Sequence, residues 1–173
     1  MDFLALAHTC GPAVDPVTTA AIVRLESDYQ PLVIRDNTLH RSWRPRTLQQ
    51  AREQVSAWER QGHQLAIGLM QVSTPWIHAL GMRSEQLLDA CWNIRIGTGI
   101  VARSFQQCEQ GGAPPYQALA CALSMYWSGS GVRGGAYVNA VFQGMGSPYR
   151  VRVTEGVSDG LLGVHKPLSS PGA

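Results

Sequence analysis

The spacing of hydrophobic and polar residues along the chain predicts a mainly α-helical protein. Apolar residues recur every three or four positions in several stretches, which is the period of a helix with one buried face. Capping residues, glycine or proline bound most of these stretches. The predicted helices cover residues 3–10, 16–30, 48–61, 74–80, 89–108, 116–126 and 136–142.

The second predicted helix carries an unusual carboxylate. The Asp-Pro pair at 15–16 is typical of a helix start, and Pro31 disfavours helix in the residue before it. Ile22 and Val23 lie four and three residues before Glu26, so they share its face of the helix. Burial favours the neutral form of a carboxyl group, which suits a general acid. The alternative is a solvated glutamate near a helix end.

Three other segments are predicted not to be helical. Residues 32–44 contain two short apolar runs around the turn-forming residues 36–38, a pattern that predicts a small β-hairpin. Residues 65–73 are apolar with an interior glycine, as in a buried extended segment or loop. The end of the chain is rich in glycine, serine and proline. We therefore expect a domain over residues 1–146 and a flexible tail over 147–173.

Composition and charge narrow the class of protein. The chain has 173 residues, 45% of them apolar, which is enough for a sizeable core. The net charge of +2 is too small to indicate binding to nucleic acid, and no apolar run predicts stable insertion into a membrane. The N-terminus lacks the features of a signal peptide, so the export route stays open. A local group of arginines predicts either a patch for an anionic polymer or a solvated hairpin: Arg35, Arg41, Arg44 and Arg46.

The four cysteines allow two disulfides. Cys108 falls near the end of one predicted helix and Cys121 early in the next, so an antiparallel helix pair could join them and leave Cys10 with Cys91. The alternative is four buried thiols. Disulfides would place the protein in an oxidising compartment.

The pattern of possible ligands and nucleophiles favours neither a metal nor another cofactor. The histidines are scattered, no Cys-x-x-Cys unit is present, and no serine lies in a Gly-x-Ser-x-Gly motif. Most glycoside hydrolases use two facing carboxylates. Asp28 points elsewhere on the helix of Glu26, and the position of Asp36 relative to Glu26 cannot be read from sequence. The chain therefore offers one good candidate for a catalytic carboxyl group, Glu26, and no clear second one.

Three motifs in order resemble the lysozyme-like lytic transglycosylases. They are Glu26-Ser27 at the end of a helix, Gly-Leu-Met-Gln-Val at 68–72, and Ala-Leu-Ser-Met-Tyr at 122–126 before a glycine-rich loop. The Cys-Gly-Pro at 10–12, the inserted hairpin and helix, and Tyr-Val at 137–138 are more similar to the transglycosylases of type IV secretion systems. Trp127 departs from this family, which often has asparagine there.

The resemblance, over roughly residues 3 to 142, implies a lysozyme-like α+β fold and a peptidoglycan lytic transglycosylase. Glu26 would be its catalytic acid and base, and the product would be a 1,6-anhydro-muramic sugar. Tyr126 would orient Glu26, and Met70 and Gln71 would line the groove, although a core position for Met70 fits nearly as well. Ser27 and Tyr137 are weaker candidates for the groove wall.

The resemblance also implies the setting in which the protein works. We expect a periplasmic enzyme whose partners are peptidoglycan glycan strands and type IV secretion components. Two alternatives stay open: a lysozyme-type hydrolase on the same fold, and a non-enzymatic factor that binds glycan or recruits secretion subunits.

Overall fold

The computed structural model describes residues 2–152 and 162–165, and two compact units divide the chain between Thr98 and Gly99. The first unit contains α1 (Phe3–Cys10), α2 (Pro16–Ser27), α3 (Leu48–Arg60), α4 (Thr74–Ala79) and a 3₁₀ helix (Ser84–Leu88). Helix α5 (Ala90–Gln110) begins in the first unit, and α6 (Pro115–Ser128) and α7 (Gly135–Gly144) belong to the second. The prediction of a mainly α-helical fold with a few strands is confirmed.

A small antiparallel sheet lies in the first unit. Its strands are β1 (Ile34–Asp36), β2 (Arg41–Trp43), β3 (Leu65–Ile67) and β4 (Val72–Ser73), in the order β2-β1-β3-β4. Ile34 is paired with Trp43 on one side and with Ile67 on the other. The predicted hairpin is therefore present, and the extended segment predicted at 65–73 pairs with it rather than remaining isolated.

Helix α3 begins with a variant of the capping box. The Thr47 hydroxyl accepts a hydrogen bond from the backbone N–H of Gln50 at 3.2 Å. The Gln50 side chain instead accepts from the N–H of Arg46 at 3.1 Å, one residue before the cap. Both bonds satisfy N–H groups at the helix start, where no carbonyl of the helix can reach them.

The core of the first unit joins the sheet to its helices. Ile22, Ile34, Val55, Ile67 and Ile94 are all fully buried. A disulfide between Cys10 and Cys91 connects the end of α1 to the start of α5.

The second unit has its own disulfide-centred cluster. Cys108 near the end of α5 is bonded to Cys121 in α6, and Ala113 and Ala118 pack beside the pair. The short connection between the two helices lets the Cα atoms of Cys108 and Cys121 come within 6.3 Å of each other. Both predicted disulfides are confirmed.

Part of the predicted tail is structured. Strands β5 (Arg150–Val151) and β6 (Val164–His165) form a two-stranded antiparallel sheet, and the Asn139 side chain of α7 bonds both the N–H and the carbonyl of Val151. The prediction of an unstructured segment is wrong for these strands, because the few apolar residues there do find a surface to cover. The predicted tail residues 153–161 and 166–173 lie outside the described residues, and the domain boundary at 146 stays a prediction.

Within residues 2–152 and 162–165, no helix combines the length and the apolar character needed to cross a bilayer.

Candidate active site

Glu26 lies in the last turn of α2. Asp15 caps the other end of this helix, where its carboxylate accepts from the N–H of Val17 at 2.8 Å. Ile22 and Val23 are fully buried, while Glu26 is half-buried. Glu26 therefore borders the apolar face of the helix, as the sequence predicted, and keeps part of its surface accessible.

The backbone after Glu26 turns sharply and is held by an aromatic side chain. Asp28 and Tyr29 both adopt left-handed conformations, with φ of 50° and 60°. The Tyr29 ring packs edge-on against Phe3 with 5.0 Å between centroids, and its hydroxyl donates to the carbonyl of Ala20 at 3.3 Å. Tyr29 thus fixes the end of α2 that carries Glu26.

The Gly-Leu-Met-Gln motif forms the turn between β3 and β4. Gly68 and Gln71 have positive φ values of 78° and 49°. The Gln71 side-chain nitrogen donates to the carbonyls of Val33 at 3.2 Å and Gly68 at 2.9 Å, and the residue is 8% exposed. Since these bonds occupy the side-chain nitrogen of Gln71, any polar contact of this side chain with substrate would be made by its amide oxygen.

A buried asparagine of α5 holds the same turn. The Asn93 side chain accepts from the N–H of Met70 at 2.8 Å, and it donates to the carbonyls of Ile67 at 2.7 Å and Leu87 at 2.8 Å. One side chain therefore satisfies three backbone groups that burial would otherwise leave unpaired, at a cost of about 1–3 kcal/mol each.

Met70 is a core residue in this structure. Its side chain is 0% exposed, and a Cβ placed on Gly97 of α5 would come within 2.5 Å of the Met70 sulfur. The absence of a side chain at Gly97 makes the room that Met70 fills. Met70 thus occupies the core position that the sequence left open, and its predicted place beside the groove stays a prediction.

Ser27 is also turned inward. It is buried, and its hydroxyl donates to the carbonyl of Val23 one helical turn earlier, at 3.1 Å. Serine hydroxyls often bond the preceding turn in this way. The arrangement gives Ser27 a structural contact, and its predicted place in the groove wall stays a prediction.

Asp36 is excluded as a second catalytic carboxylate. It is 0% exposed, and one of its oxygens accepts from the N–H groups of Thr38 and Leu39 at 3.0 and 3.1 Å. The other lies 2.9 Å from His63 Nδ1 and 3.2 Å from Arg41 Nε. Burial opposes its ionisation, but the Leu39 N–H, His63 and the Arg41 guanidinium outweigh it and hold the pKa of Asp36 below its usual value.

The second unit contains the other predicted site residues. Tyr126 lies in the last turns of α6 and Tyr137 in the first turn of α7, and both are half-buried. The Trp127 ring stacks on the Tyr137 ring, with 6.0 Å between centroids and 18° between planes. The roles predicted for Glu26, Gln71, Tyr126 and Tyr137 stay predictions.

The family model for the transglycosylase SLT domain matches residues 3–137, which is more than half of the chain. The chain belongs to the transglycosylase SLT domain family. This agrees with the family that the three motifs indicated, and it covers every predicted site residue.

The SLT domain is similar to proteins of bacterial secretion systems. It is 30% identical over 135 residues to the type IV secretion system protein virB1 of Brucella abortus, across 74% of this chain and 54% of that protein. It is 32% identical over 146 residues to protein virB1 of Rhizobium radiobacter, across 81% and 59%. The chain spans a little over half the length of these relatives. No solved structure matches it.

Two polar arrangements of this SLT domain were missed by sequence reasoning. Asn93 holds the turn that the Gly-Leu-Met-Gln motif forms between β3 and β4. The only sign of this role in the sequence is a polar residue beside the apolar face of a long helix. Glu59 of α3 accepts from the Ser84 hydroxyl and lies 3.0 Å from His78 Nε2. Neither contact could be read locally, because the partners are 19 to 26 residues apart.

Potential metal ligands are dispersed in the described part of the SLT domain. No group of three histidine, cysteine, aspartate or glutamate side chains there is arranged to hold a metal ion. A cleft of about 760 Å³ in the first unit is lined by residues such as Arg52, Arg83 and Trp92, and none of the predicted site residues contributes to it.

Proposed function

We propose that this domain is a peptidoglycan lytic transglycosylase that cleaves the β-1,4 bond between N-acetylmuramic acid and N-acetylglucosamine. The observation that carries the proposal is Glu26, half-buried beside a fully buried apolar face in a domain of the transglycosylase SLT family. Such a position suits a carboxyl group that must hold a proton and still reach a substrate.

The absence of a usable partner carboxylate at Asp36 supports a one-carboxylate mechanism. In it, neutral Glu26 gives its proton to the glycosidic oxygen as the bond from that oxygen to the anomeric carbon breaks. The acetamido group of the sugar assists at the anomeric carbon in place of a second enzyme carboxylate.

In the second half of the reaction, Glu26 regains a proton. The Glu26 carboxylate removes the proton of the 6-hydroxyl of the same muramic acid while that oxygen attacks the anomeric carbon. A 1,6-anhydro ring forms, Glu26 ends as it began, and no water is consumed. Tyr126 is proposed to orient Glu26 for both steps, and the Gln71 amide oxygen is proposed to contact the glycan.

The setting is proposed to be the periplasm, where local opening of the wall would make room for a type IV secretion or conjugation apparatus. Two observations support this: the similarity to the virB1 proteins, and two disulfides, which are typical of oxidising compartments.

Product analysis tests the proposal. Purified sacculi are digested with the protein, and the soluble muropeptides are identified by liquid chromatography and mass spectrometry. Anhydro-muramic ends, lighter than the hydrated product by the mass of one water, are expected. Reducing ends alone would show a lysozyme-type hydrolase, and no release of muropeptides would favour a glycan-binding assembly factor.

A further inference from the structure

Trp127 is an exposed indole near the end of α6. It is 56% exposed, more than the two other exposed tryptophans, Trp76 and Trp92 at 44% and 43%. Leaving so large an apolar surface in water forgoes about 25 cal/mol of stabilisation for each Å² that is not buried. Tryptophan is enriched at binding interfaces, where its large apolar ring and its polar N–H both find contacts.

The orientation of the Trp127 ring is fixed by its neighbour. Tyr137 of α7 stacks on it nearly in parallel, at 18° and 6.0 Å between centroids. The two rings, which we call the Trp127–Tyr137 platform, come from different helices that pack against each other within the second unit. A ring held in this way loses little further freedom when a ligand binds.

The loop between the two helices is braced as well. The Ser124 hydroxyl donates to the carbonyl of Ser130 at 2.5 Å and accepts from the N–H of Gly134 at 2.8 Å. The Ser128 hydroxyl donates to the Ser124 carbonyl at 2.7 Å and accepts from the N–H of Ser130 at 3.2 Å. A Cβ on Gly134 would lie 2.8 Å from the Ser124 Cα, so this close approach requires glycine. The platform is therefore set before any ligand arrives.

The surroundings of the platform favour an uncharged, hydroxyl-rich ligand. The loop at 128–135 contains two serines and four glycines but only one charged residue, Arg133. The C–H bonds on the flat side of a pyranose ring carry partial positive charge, which is attracted to the negative face of an aromatic ring. Both platform residues fall inside the region that matches the transglycosylase SLT domain.

We propose that Trp127, supported by Tyr137, stacks on a pyranose ring of the glycan strand and positions it. The inference rests on the proposed function for the identity of the sugar, N-acetylglucosamine or N-acetylmuramic acid. It makes Trp127 a substrate-positioning residue that acts through stacking, at a place where the family often has an asparagine able to hydrogen-bond.

Binding without turnover tests the platform. In a Glu26→Gln background, affinity for chitohexaose and for soluble uncrosslinked glycan strands is measured by titration calorimetry and tryptophan fluorescence. Trp127→Ala should weaken binding to at least one of these ligands about 3- to 10-fold, the usual worth of an aromatic contact. Trp127→Phe should keep most of the affinity but lose most of the fluorescence change on binding.

The matched control is Trp76→Ala, which removes an exposed tryptophan from the first unit. It should leave the affinity unchanged, and circular dichroism should show that all variants are folded. In the active protein, Trp127→Ala should raise KM with little change in kcat.

Four results would overturn the inference: full affinity in Trp127→Ala, an equal loss in Trp76→Ala, a fluorescence change that persists in Trp127→Phe, or no binding of either ligand. These outcomes differ from failure of the proposed function, which is judged by products. A parent protein that binds glycan through Trp127 but releases no anhydro ends would refute the enzyme and leave the platform standing.

Discussion

Asp36 and Glu26 lie in the same unit, ten residues apart along the chain, but their surroundings differ. Asp36 is fully enclosed, and its two oxygens accept from backbone N–H groups, a histidine and an arginine. Glu26 borders buried aliphatic side chains at the end of a helix and keeps part of its surface exposed.

The difference shows why burial alone does not identify a catalytic acid. A carboxylate surrounded by donors is held ionised, so it has no proton to give near neutral pH, and it is inaccessible to a substrate. A carboxyl group at the edge of an apolar helix face, with part of its surface exposed, can be reached by a substrate. Asp36 therefore serves the stability of the hairpin, and Glu26 is the carboxyl group that we propose as the catalytic acid.

Replacement of Glu26 by glutamine should have the largest effect. The amide is nearly isosteric but cannot donate the proton, so release of muropeptides should fall by about 10²- to 10⁴-fold while the melting temperature changes little. Turnover of purified sacculi is the measurement. Glu53→Gln, the same change on an exposed glutamate of α3, should leave the rate unchanged, and comparable loss in both variants would contradict the role of Glu26.

Loss of the Cys10–Cys91 bond should destabilise the helix that carries Glu26 before it destabilises the strand that carries Asp36. The bond closes a loop with a sequence separation of 81, for which chain entropy gives about 4.5 kcal/mol of unfolding free energy. Because α1 packs on α2, hydrogen exchange in the Cys10→Ser/Cys91→Ser variant should rise in α1 and α2 before it rises in β1.

The matched control is the Cys108→Ser/Cys121→Ser variant, whose loop has a separation of only 13. It should lose about 3 kcal/mol and leave α1 protected. Four cysteines that react freely with alkylating agents in the native protein would refute both bonds.

Replacement of Asp36 by asparagine should lower stability and leave activity unchanged, which is the reverse of the result expected for Glu26→Gln. Loss of the charged acceptor should lower the free energy of unfolding by about 2 kcal/mol, since hydrogen bonds to charged groups are worth about 1.5–3 kcal/mol. Activity per folded molecule should be retained. Urea unfolding compares it with Asp28→Asn, an exposed residue in a left-handed conformation that asparagine accepts.

Lowering the pH should have the smallest of these effects, and it should lower the free energy of unfolding through Asp36. Because folding lowers the pKa of Asp36, the stability that its charge contributes is complete at neutral pH. It should be lost as the pH falls below about 3.9, the ordinary value for aspartate, toward the lower value in the folded state. The Asp36→Asn protein lacks this contribution, so its stability should fall less steeply there. Parallel curves for the two proteins would contradict the assignment.

Features encoded by neighbouring residues were predictable from the sequence. The Asp15 cap and the nearby Pro31 locate α2, and the turn residues locate the hairpin. The order of the helices indicated the cysteine pairing that the structure has, with four buried thiols as the open alternative. The order and spacing of the three motifs were enough to indicate the family.

Features that depend on distant parts of the chain were not predictable. Met70 is buried because Gly97 leaves room for it, and the motif turn depends on Asn93, 23 residues from Met70. The pairing of β5 with β6 joins segments that look like a tail when read alone. The pairing of the hairpin with β3 was missed for the same reason: register and partner choice are set by tertiary packing.

The two disulfides join the cysteines in sequence order, the first to the second and the third to the fourth. A chain that emerges from a translocation channel with its N-terminus first exposes Cys10 and Cys91 before either of the others. An oxidase that joins thiols in order of arrival would therefore make the native pairs directly. We expect the reduced chain to regain both bonds with an oxidant alone, without a disulfide isomerase.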